Sequence, residues 1–199
     1  MTSLREQFGD IDIYLFDQLL RGRIKPGMRV LDAGCGGGRN LVYLIREGYD
    51  VFAADKDAEA VAAVRRLASG VPPDHFRVEP LEGMSFPDHF ADVVLSSAVL
   101  HFARDDDQFQ AMLAGTWRVL KPGGLFFCRL ASSIGIEDQI RQVFGSRYLL
   151  PDGSQRYLVD EEFLMHATER MGGKLADPLK TSVVQGMRAM TTWVLWKNA

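Results

Sequence analysis

Short apolar runs alternate along most of the chain with stretches whose apolar residues recur every three or four positions. The short runs are typical of buried strands, and the recurring positions are typical of helices that pack on one face. A mainly parallel sheet flanked by helices produces this alternation. The predicted strands are Arg29–Ala33, Val51–Ala54, His75–Glu79, Asp92–Ser96 and Leu125–Leu130.

Helices are predicted between these strands, several with a recognisable start or stop signal. Asp57 can cap one helix and Gly48 can end another, while Lys121-Pro122-Gly123-Gly124 breaks the helix that precedes the fifth strand. The predicted helices are Ile11–Arg23, Arg39–Arg46, a helix after Asp57 with Val61, Val64 and Ala68 on one face, and a helix from Phe109 to Leu120.

The C-terminal third departs from this order. Asp160 can cap a further helix, which Gly172-Gly173 ends. Two strands, Lys174–Lys180 and Ala189–Trp196, are expected to form a terminal hairpin that adds an antiparallel strand to the sheet. The segment from Ile134 to Tyr157 carries no motif.

A glycine-rich turn joins the first strand to the next helix. Gly34, Gly36 and Gly38 allow tight turns and a close approach to a ligand, and the N–H groups at the following helix N-terminus suit an anionic group. Asp55 ends the second strand, where an acidic residue suits the hydroxyls of a ribose. The pattern predicts a nucleotide site at this edge of the sheet.

Two side chains narrow the choice of nucleotide. The dinucleotide pattern G-x-G-x-x-G requires glycine at position 39, where Arg39 stands. Asp32 lies two residues before the first glycine. Its carboxylate would repel a pyrophosphate and would suit a cationic ligand that carries a sulfonium and an ammonium group. An NAD-dependent oxidoreductase is therefore disfavoured.

The segment Val30–Asn40 resembles the first motif of the class I S-adenosylmethionine-dependent methyltransferases. Phe86–Val94 is similar to that family's loop into the fourth strand, and Val119–Gly124 to its turn into the fifth. The resemblance runs from about Pro26 to the C-terminus. It implies an α/β fold with a Rossmann-like, seven-stranded, mainly parallel sheet, helices on both faces and an antiparallel C-terminal hairpin strand. It also implies S-adenosyl-L-methionine as cofactor and S-adenosyl-L-homocysteine as product.

The resemblance also implies a set of cofactor-binding residues. Many relatives place an Asp and a small residue in the adenine loop, where this chain has Pro80 and Leu81. Either Glu79 or Glu82 could supply the missing carboxylate, or the adenine amino group could bind water. The residues expected to bind the cofactor are Asp32, Gly34, Gly36, Gly38, Asp55, Lys56, Leu81 and Ser96.

Two residues are candidates for a catalytic role. His101 follows the fourth strand and could act as a general base or hydrogen-bond a substrate, although relatives also keep a structural histidine nearby. Tyr14 lies on the N-terminal helix, which lids such sites in relatives, and could contact the sulfonium or simply pack. No Ser-His-Asp pattern or metal-ligand spacing is present, so no metal is expected.

Several arginines could bind anions near the site. Arg39 opens a helix, where a cation is unfavourable, so it could pair with the methionine carboxylate or with a substrate anion. Arg129, Arg147, Arg156 and Arg188 could line an anion-binding surface. A solvated surface position is the alternative for each arginine.

The acceptor is expected to be a small molecule. Ser96–Val99 occupies the place of the motif with which relatives methylate nucleobase amino groups. Gly38-Arg39-Asn40 and the residues after it are similar to the tellurite-resistance branch of the family, whose substrates include soft oxyanions. Methylation of a quinone precursor is the alternative within the family. A noncatalytic S-adenosylmethionine-binding protein is the alternative outside it.

Length and charge add three expectations. At 199 residues with 47% apolar content, the chain is expected to be one domain. Residues 1–25 would form a helical lid, 26–130 the cofactor-binding half, and 131–199 the substrate-side segment with the hairpin. The net charge of -3 predicts no nucleic-acid or membrane partner. The lack of a leader or long apolar run predicts a cytoplasmic protein, with Cys35 and Cys128 reduced and buried.

Overall fold

The computed structural model describes residues 3–199. The strands are given first and then the α-helices, each in chain order. The strands are β1 (Arg29–Ala33), β2 (Asp50–Asp55), β3 (Phe76–Val78), β4 (Ala91–Ser97), β5 (Leu120–Ser132), β6 (Arg141–Phe144), β7 (Arg147–Leu149), β8 (Gln155–Tyr157), β9 (Gly173–Leu175), β10 (Lys180–Val184) and β11 (Arg188–Lys197). The α-helices are α1 (Leu4–Phe8), α2 (Ile13–Leu20), α3 (Val42–Arg46), α4 (Ala58–Leu67), α5 (Asp106–Val119) and α6 (Glu161–Arg170).

The main sheet has eight strands. Seven lie in the order β10-β11-β5-β4-β1-β2-β3, and β9 also pairs with β11. The strands β1 to β5 pair in parallel, whereas β11 runs antiparallel to β5, β9 and β10. This is the predicted α/β fold, with a mainly parallel sheet and an antiparallel C-terminal strand, and that prediction is confirmed.

Helices cover both faces of the sheet. Successive residues of a strand point to opposite sides, so the apolar residues of the central strands are buried under helices on each face. Leu31 and Phe126 belong to the cluster packed under α5 and α6. Val30 and Phe127 belong to the cluster packed under α2, α3 and α4. Both faces are therefore apolar, which explains the continuous apolar runs of the central strands.

The predicted strand Lys174–Lys180 is wrong as a single element. The chain forms β9 and β10 instead, separated by residues 176–179. Pro178 has no N–H to donate to a sheet, and the Asp177 side chain binds Arg23 at 2.6 Å. The extra break explains why the sheet has one strand more than the seven expected.

Other boundaries also differ from the sequence prediction. The helix predicted over 11–23 is α2, which begins at Ile13 after its cap Asp12, and a separate helix that was not predicted, α1, precedes it and ends at Gly9 with a φ of 65°. The helix expected from Arg39 begins at Val42, since the glycine turn extends further. The segment 121–124 is the first part of β5, with a shift of register opposite β4, rather than a turn before it.

A second, three-stranded antiparallel sheet of β6, β7 and β8 was not predicted. Leu150 and Leu158, which flank β8, pack on Ala131 at the end of β5. This small sheet therefore stands beside the carboxyl end of the central strands, where ligands bind in open α/β sheets.

Candidate functional site

A pocket of about 650 Å³ lies at the carboxyl ends of β1, β2 and β4. This volume is within the range of small-molecule sites. Its walls come from the glycine turn, the residues after β2, the turn Leu81–Gly83 and the residues after β4. The start of α5 closes one side with Gln108 and Met112, which the sequence analysis did not single out.

The glycine turn adopts backbone angles that favour glycine. Gly34, Gly36 and Gly38 have φ values of 84°, 49° and 80°. A β-carbon on Gly34 would lie 2.5 Å from the Val99 side chain, whereas the same position on Gly36 meets open space. Gly34 and Gly36 line the pocket, and Gly38 packs towards Val64 outside it. The turn therefore brings bare backbone to the pocket wall.

Asp32 is buried at the end of β1, only 1% exposed. No hydrogen-bond donor among residues 3–199 reaches its Oδ2 atom. Burial raises the pKa of Asp32 to about 7, Arg39 opposes this rise and Asp55 adds to it. A buried carboxylate without a partner favours a nearby positive charge, which fits the cationic group that the sequence analysis expected here.

Asp55 holds the glycine turn in place. Its Oδ2 accepts a hydrogen bond from the Gly36 N–H at 2.9 Å, and its Oδ1 accepts one from the Asp57 N–H at 3.0 Å. Each carboxylate oxygen can accept a further bond. Asp55 and Lys56 both line the pocket, so the structure places these two predicted residues at its wall.

The predicted adenine loop lies on the same pocket. Pro80, Leu81 and Glu82 line it, and the Glu82 Oε1 accepts a hydrogen bond from Gln108 at 3.1 Å. Glu79 is not among the lining residues, and its carboxylate accepts the N–H of Ser85 at 2.8 Å. Of the two glutamates considered, only Glu82 faces the pocket.

The end of β4 lies one residue later than predicted. Ser96 is fully buried inside the sheet and does not line the pocket, whereas Ser97 and Ala98 do. The Ala98 N–H donates to the Arg129 carbonyl at 2.7 Å, and Ala98 has a φ of 65°. The pocket is therefore lined by Ser97 and Ala98 rather than by the predicted Ser96.

A buried carboxylate, Asp12, fastens the start of α2 to this edge of the sheet. Its Oδ2 lies 3.3 Å from Arg129, 3.6 Å from Arg39 and 3.3 Å from the Ser97 hydroxyl. Arg39 also donates to that hydroxyl at 3.0 Å and lines the pocket. The helix-opening arginine therefore has protein partners as well as access to the pocket.

The two candidate catalytic residues lie outside the lining of this pocket. Tyr14 hydrogen-bonds Ser182 at 2.6 Å, and its ring centre is 5.4 Å from the Arg129 guanidinium. His101 is 5% exposed and lines a second pocket of about 280 Å³. Ala98 lines both pockets and so stands between them.

The four C-terminal arginines divide between two places. Arg129, Arg156 and Arg188 line the second pocket with His101. Arg147 instead donates to the Ala103 carbonyl at 2.9 Å and does not line it. Of the four arginines predicted to line one anion-binding surface, three lie together.

The cysteines are buried as predicted. Burial raises the pKa of the Cys35 thiol and that of the Cys128 thiol well above the ordinary range. A protonated, buried thiol is a poor nucleophile.

In the part of the chain that the structure describes, no three metal-binding side chains gather into a possible ion site.

The fold and the glycine turn define a Rossmann-like α/β protein with a pocket at the carboxyl ends of its central strands. Residues 31–128 match a family model described as a methyltransferase domain. A ubiquinone biosynthesis O-methyltransferase of Chelativorans sp. is 34% identical over 140 residues, which cover 66% of this chain and 52% of that protein. The chain spans about half the length of the first curated relatives that it matches.

Solved structures agree on the fold. An S-adenosylmethionine-dependent methyltransferase of Methanosarcina mazei has a TM-score of 0.73 at 19% identity, covering 90% of this chain and 97% of that one. The 1,6-didemethyltoxoflavin-N1-methyltransferase of Burkholderia thailandensis, solved with S-adenosylhomocysteine, has a TM-score of 0.71 at 20% identity, covering 96% and 80%.

Residues 31–128 are therefore similar to a methyltransferase domain, and the fold is the one seen in S-adenosylmethionine-dependent methyltransferases. The predicted methyltransferase class agrees with the domain match, and the Burkholderia structure holds S-adenosylhomocysteine in a protein of this fold. None of the proteins named above is described as a tellurite-resistance protein.

Proposed function

We propose that this protein transfers a methyl group from S-adenosylmethionine to a small-molecule acceptor. The observation that carries the proposal is the buried Asp32 carboxylate beside the glycine turn, because a charge so costly to bury is matched by a cationic ligand. A pyrophosphate would add negative charge next to Asp32 and Asp55. The charge at the site thus favours a sulfonium ligand over a dinucleotide.

The residues at the pocket fit each part of that cofactor. Gly34 and Gly36 of the glycine turn suit the methionine end, with the Ser97 and Ala98 backbone nearby. Asp32 is buried two residues before Gly34, outside the lining itself. Asp55 keeps acceptor capacity for ribose hydroxyls. The apolar side chains of Leu81 and Met112 suit the adenine ring, and Glu82 with Gln108 supplies polar groups at its edge; all four line the pocket.

Methyl transfer from this cofactor requires few catalytic groups from the protein. When bound, S-adenosylmethionine supplies a methyl carbon that passes to an acceptor lone pair, while the electrons of the carbon–sulfur bond stay on sulfur and leave S-adenosylhomocysteine. The residues of the site orient the acceptor and exclude water. A proton on the acceptor atom passes to solvent. Neither buried cysteine is suited to covalent catalysis.

The relatives support one finer alternative. The Chelativorans protein is named as a ubiquinone biosynthesis O-methyltransferase, which supports methylation of an oxygen on a quinone precursor. The tellurite alternative rests on the short segment around Gly38-Arg39-Asn40 alone. Both alternatives share the cofactor site and differ only in the acceptor.

Calorimetric titration with S-adenosylmethionine, S-adenosylhomocysteine and NAD tests the proposal without knowledge of the acceptor. We expect micromolar binding of the first two and none of NAD. Binding of NAD alone, or of none of the three, would overturn it. Turnover with any acceptor would then exclude a noncatalytic binding protein.

Substitution of Asp55 tests the ribose contact. We expect Asp55→Ala to weaken S-adenosylhomocysteine binding by about 1–3 kcal/mol, since charge-assisted hydrogen bonds are lost. Asp50→Ala is the matched control: Asp50 begins the same strand, pairs with Arg29 at 3.0 Å and lies outside the pocket lining. Equal affinities of the two variants in the same titration would contradict the assignment of Asp55.

A further inference from the structure

The second pocket adjoins the cofactor pocket through a single residue. Its volume is about 280 Å³, and Ala98 contributes to the lining of both pockets. Phe102 lines the cofactor pocket, and the Arg156 guanidinium of the second pocket lies 4.9 Å from the centre of its ring. A ligand in the second pocket would therefore adjoin the pocket proposed for the cofactor.

Positive charge is concentrated in this pocket. Three strands each contribute one arginine to its lining: Arg129 from β5, Arg156 from β8 and Arg188 from β11. One carboxylate, Asp152, lies among them, and it accepts the Ser154 N–H and hydroxyl at 2.9 and 2.6 Å. The whole chain has a net charge of -3, so this local excess of arginine is not a consequence of composition.

Two of the arginines retain free hydrogen-bonding capacity. Neither Arg156 nor Arg188 has a carboxylate within ion-pair distance in residues 3–199. Arg156 donates to the neighbouring Gln155 carbonyl at 2.8 Å. Guanidinium groups bind carboxylates and phosphates through paired N–H donors, so both side chains suit an anionic ligand.

Arg129 is only partly satisfied. Its Nη1 donates to Asp12 at 3.3 Å, while its Nε is buried with no partner in the described chain. A buried N–H donor without a partner, such as this Nε, favours binding of an additional hydrogen-bond acceptor.

His101 presents a donor rather than a base. Its Nδ1 accepts the Ala131 N–H at 3.1 Å, which leaves the ring proton of the neutral form on Nε2. Burial, together with Arg156 and Arg129, lowers the pKa of His101 to about 4, so the ring is neutral at physiological pH. Within residues 3–199 no acceptor binds Nε2, which makes it a further N–H donor for a ligand. The hydrogen bonding thus favours the substrate-contact role considered from the sequence over that of a general base.

The remaining lining is apolar. Ala131 and Leu150 are buried, and Met190 is partly buried, so a ligand with a hydrocarbon body would bury it against them. An inorganic oxyanion would make no use of these contacts.

We propose that the second pocket binds the methyl acceptor and that the acceptor is a small organic acid. Arg156 and Arg188 pair with its carboxylate or phosphate group, the His101 Nε2–H donates to it, and Leu150 and Met190 contact its apolar body. The inference rests on the proposed function, since it names the second substrate of the same reaction.

The test is ligand-observed NMR on the full chain with S-adenosylhomocysteine present. The probes are benzoate, 4-hydroxybenzoate, succinate and phenyl phosphate, each compared with its neutral counterpart: benzamide, 4-hydroxybenzamide, succinamide and phenol. Tellurite is included as an inorganic oxyanion. We expect at least one acid to bind tenfold or more tightly than its neutral counterpart, and the carboxylate and phosphate probes distinguish the two anionic groups.

Arginine substitution locates the binding. The double variant Arg156→Met, Arg188→Met is expected to weaken binding of the preferred acid at least tenfold. Arg141→Met and Arg46→Met together form the matched control, because both side chains are outside the pocket lining and the same two charges are lost. The inference fails if no acid exceeds its neutral counterpart, if the control loses as much, or if tellurite binds as tightly as the acids.

A parallel titration with S-adenosylhomocysteine separates this inference from the proposed function. If the cofactor product binds and the acids do not, the acceptor class is wrong and the methyltransferase proposal stands. If the acids bind and the cofactor product does not, the proposed function fails while the anion site remains.

Discussion

When no cationic ligand is bound, the ionised Asp32 carboxylate lowers the free energy of unfolding. Burial raises the pKa of Asp32 from 3.8 to about 7. A group whose pKa is higher in the folded than in the unfolded chain stabilises the fold fully below the unfolded value, and this contribution is lost as the pH rises through the folded value. Between pH 4 and 7 the difference of about three pKa units corresponds to about 4 kcal/mol.

Asp32→Asn should therefore stabilise the cofactor-free protein and weaken cofactor binding. The expected gain in the urea-derived free energy of unfolding is up to about 4 kcal/mol at pH 8, and most of it should disappear at pH 5 because the native carboxyl is then largely protonated. Asp50→Asn, on the half-exposed end of β2, should show little change at either pH. A gain at pH 5 as large as that at pH 8 would contradict the buried-charge explanation.

At the scale of elements, Asp12 connects α2 to the edge of the sheet. It caps the helix through the Tyr14 N–H at 3.0 Å, and it contacts two arginines and the Ser97 hydroxyl. Loss of this carboxylate leaves the two arginines without their shared partner and the helix without its cap.

Asp12→Ala is expected to lower the free energy of unfolding by about 1–3 kcal/mol and to increase proteolytic cleavage within residues 10–21. Asp10→Ala is the control, since its ion pair with Arg5 is exposed, with side chains 81% and 68% accessible, and such pairs contribute little. Urea unfolding and limited proteolysis measure the two effects. Similar losses in the two variants would show that the buried network does not anchor α2.

The sequence predicted the central elements well because their signals are local. The strands β1, β2, β4 and the core of β5 are continuous apolar runs, and the caps Asp57 and Asp160 accept from their helices as expected. The small sheet was not predicted, since all four residues of β6 are exposed and β7 and β8 have three residues each. Short, exposed strands show no alternation of apolar and polar residues.

The candidate site was predicted in part for a related reason. Motif spacing located Asp32, Asp55 and the glycine turn, because one short segment carries them. The convergence of Arg129, Arg156 and Arg188 depends on pairing between strands far apart in sequence. A sequence shows such residues as isolated arginines, and only the fold selects which of them meet.

At the scale of the whole molecule, the two apolar clusters share one sheet, with strand residues alternating between them. We propose on this basis that the chain unfolds as one unit. None of the helices in residues 3–199 is long and apolar enough to cross a membrane.

Thermal unfolding should accordingly show a single transition that S-adenosylhomocysteine moves upward. At a concentration about 100 times its Kd, a ligand that binds only the folded chain adds about 2.7 kcal/mol. For a protein of this size the corresponding rise in Tm is about 5–10 °C. Differential scanning calorimetry measures both quantities. Two separate transitions would contradict the single unit, and an unchanged Tm would contradict cofactor binding.

The two pockets share one lining residue, Ala98, and its backbone is strained. Ala98 holds a φ of 65°, a left-handed conformation that costs an alanine about 1–2 kcal/mol and that glycine adopts freely. The chain thus keeps a methyl group at this boundary at the expense of backbone strain. Because Ala98 belongs to both linings, a larger side chain at this position is expected to reduce the volume of both pockets.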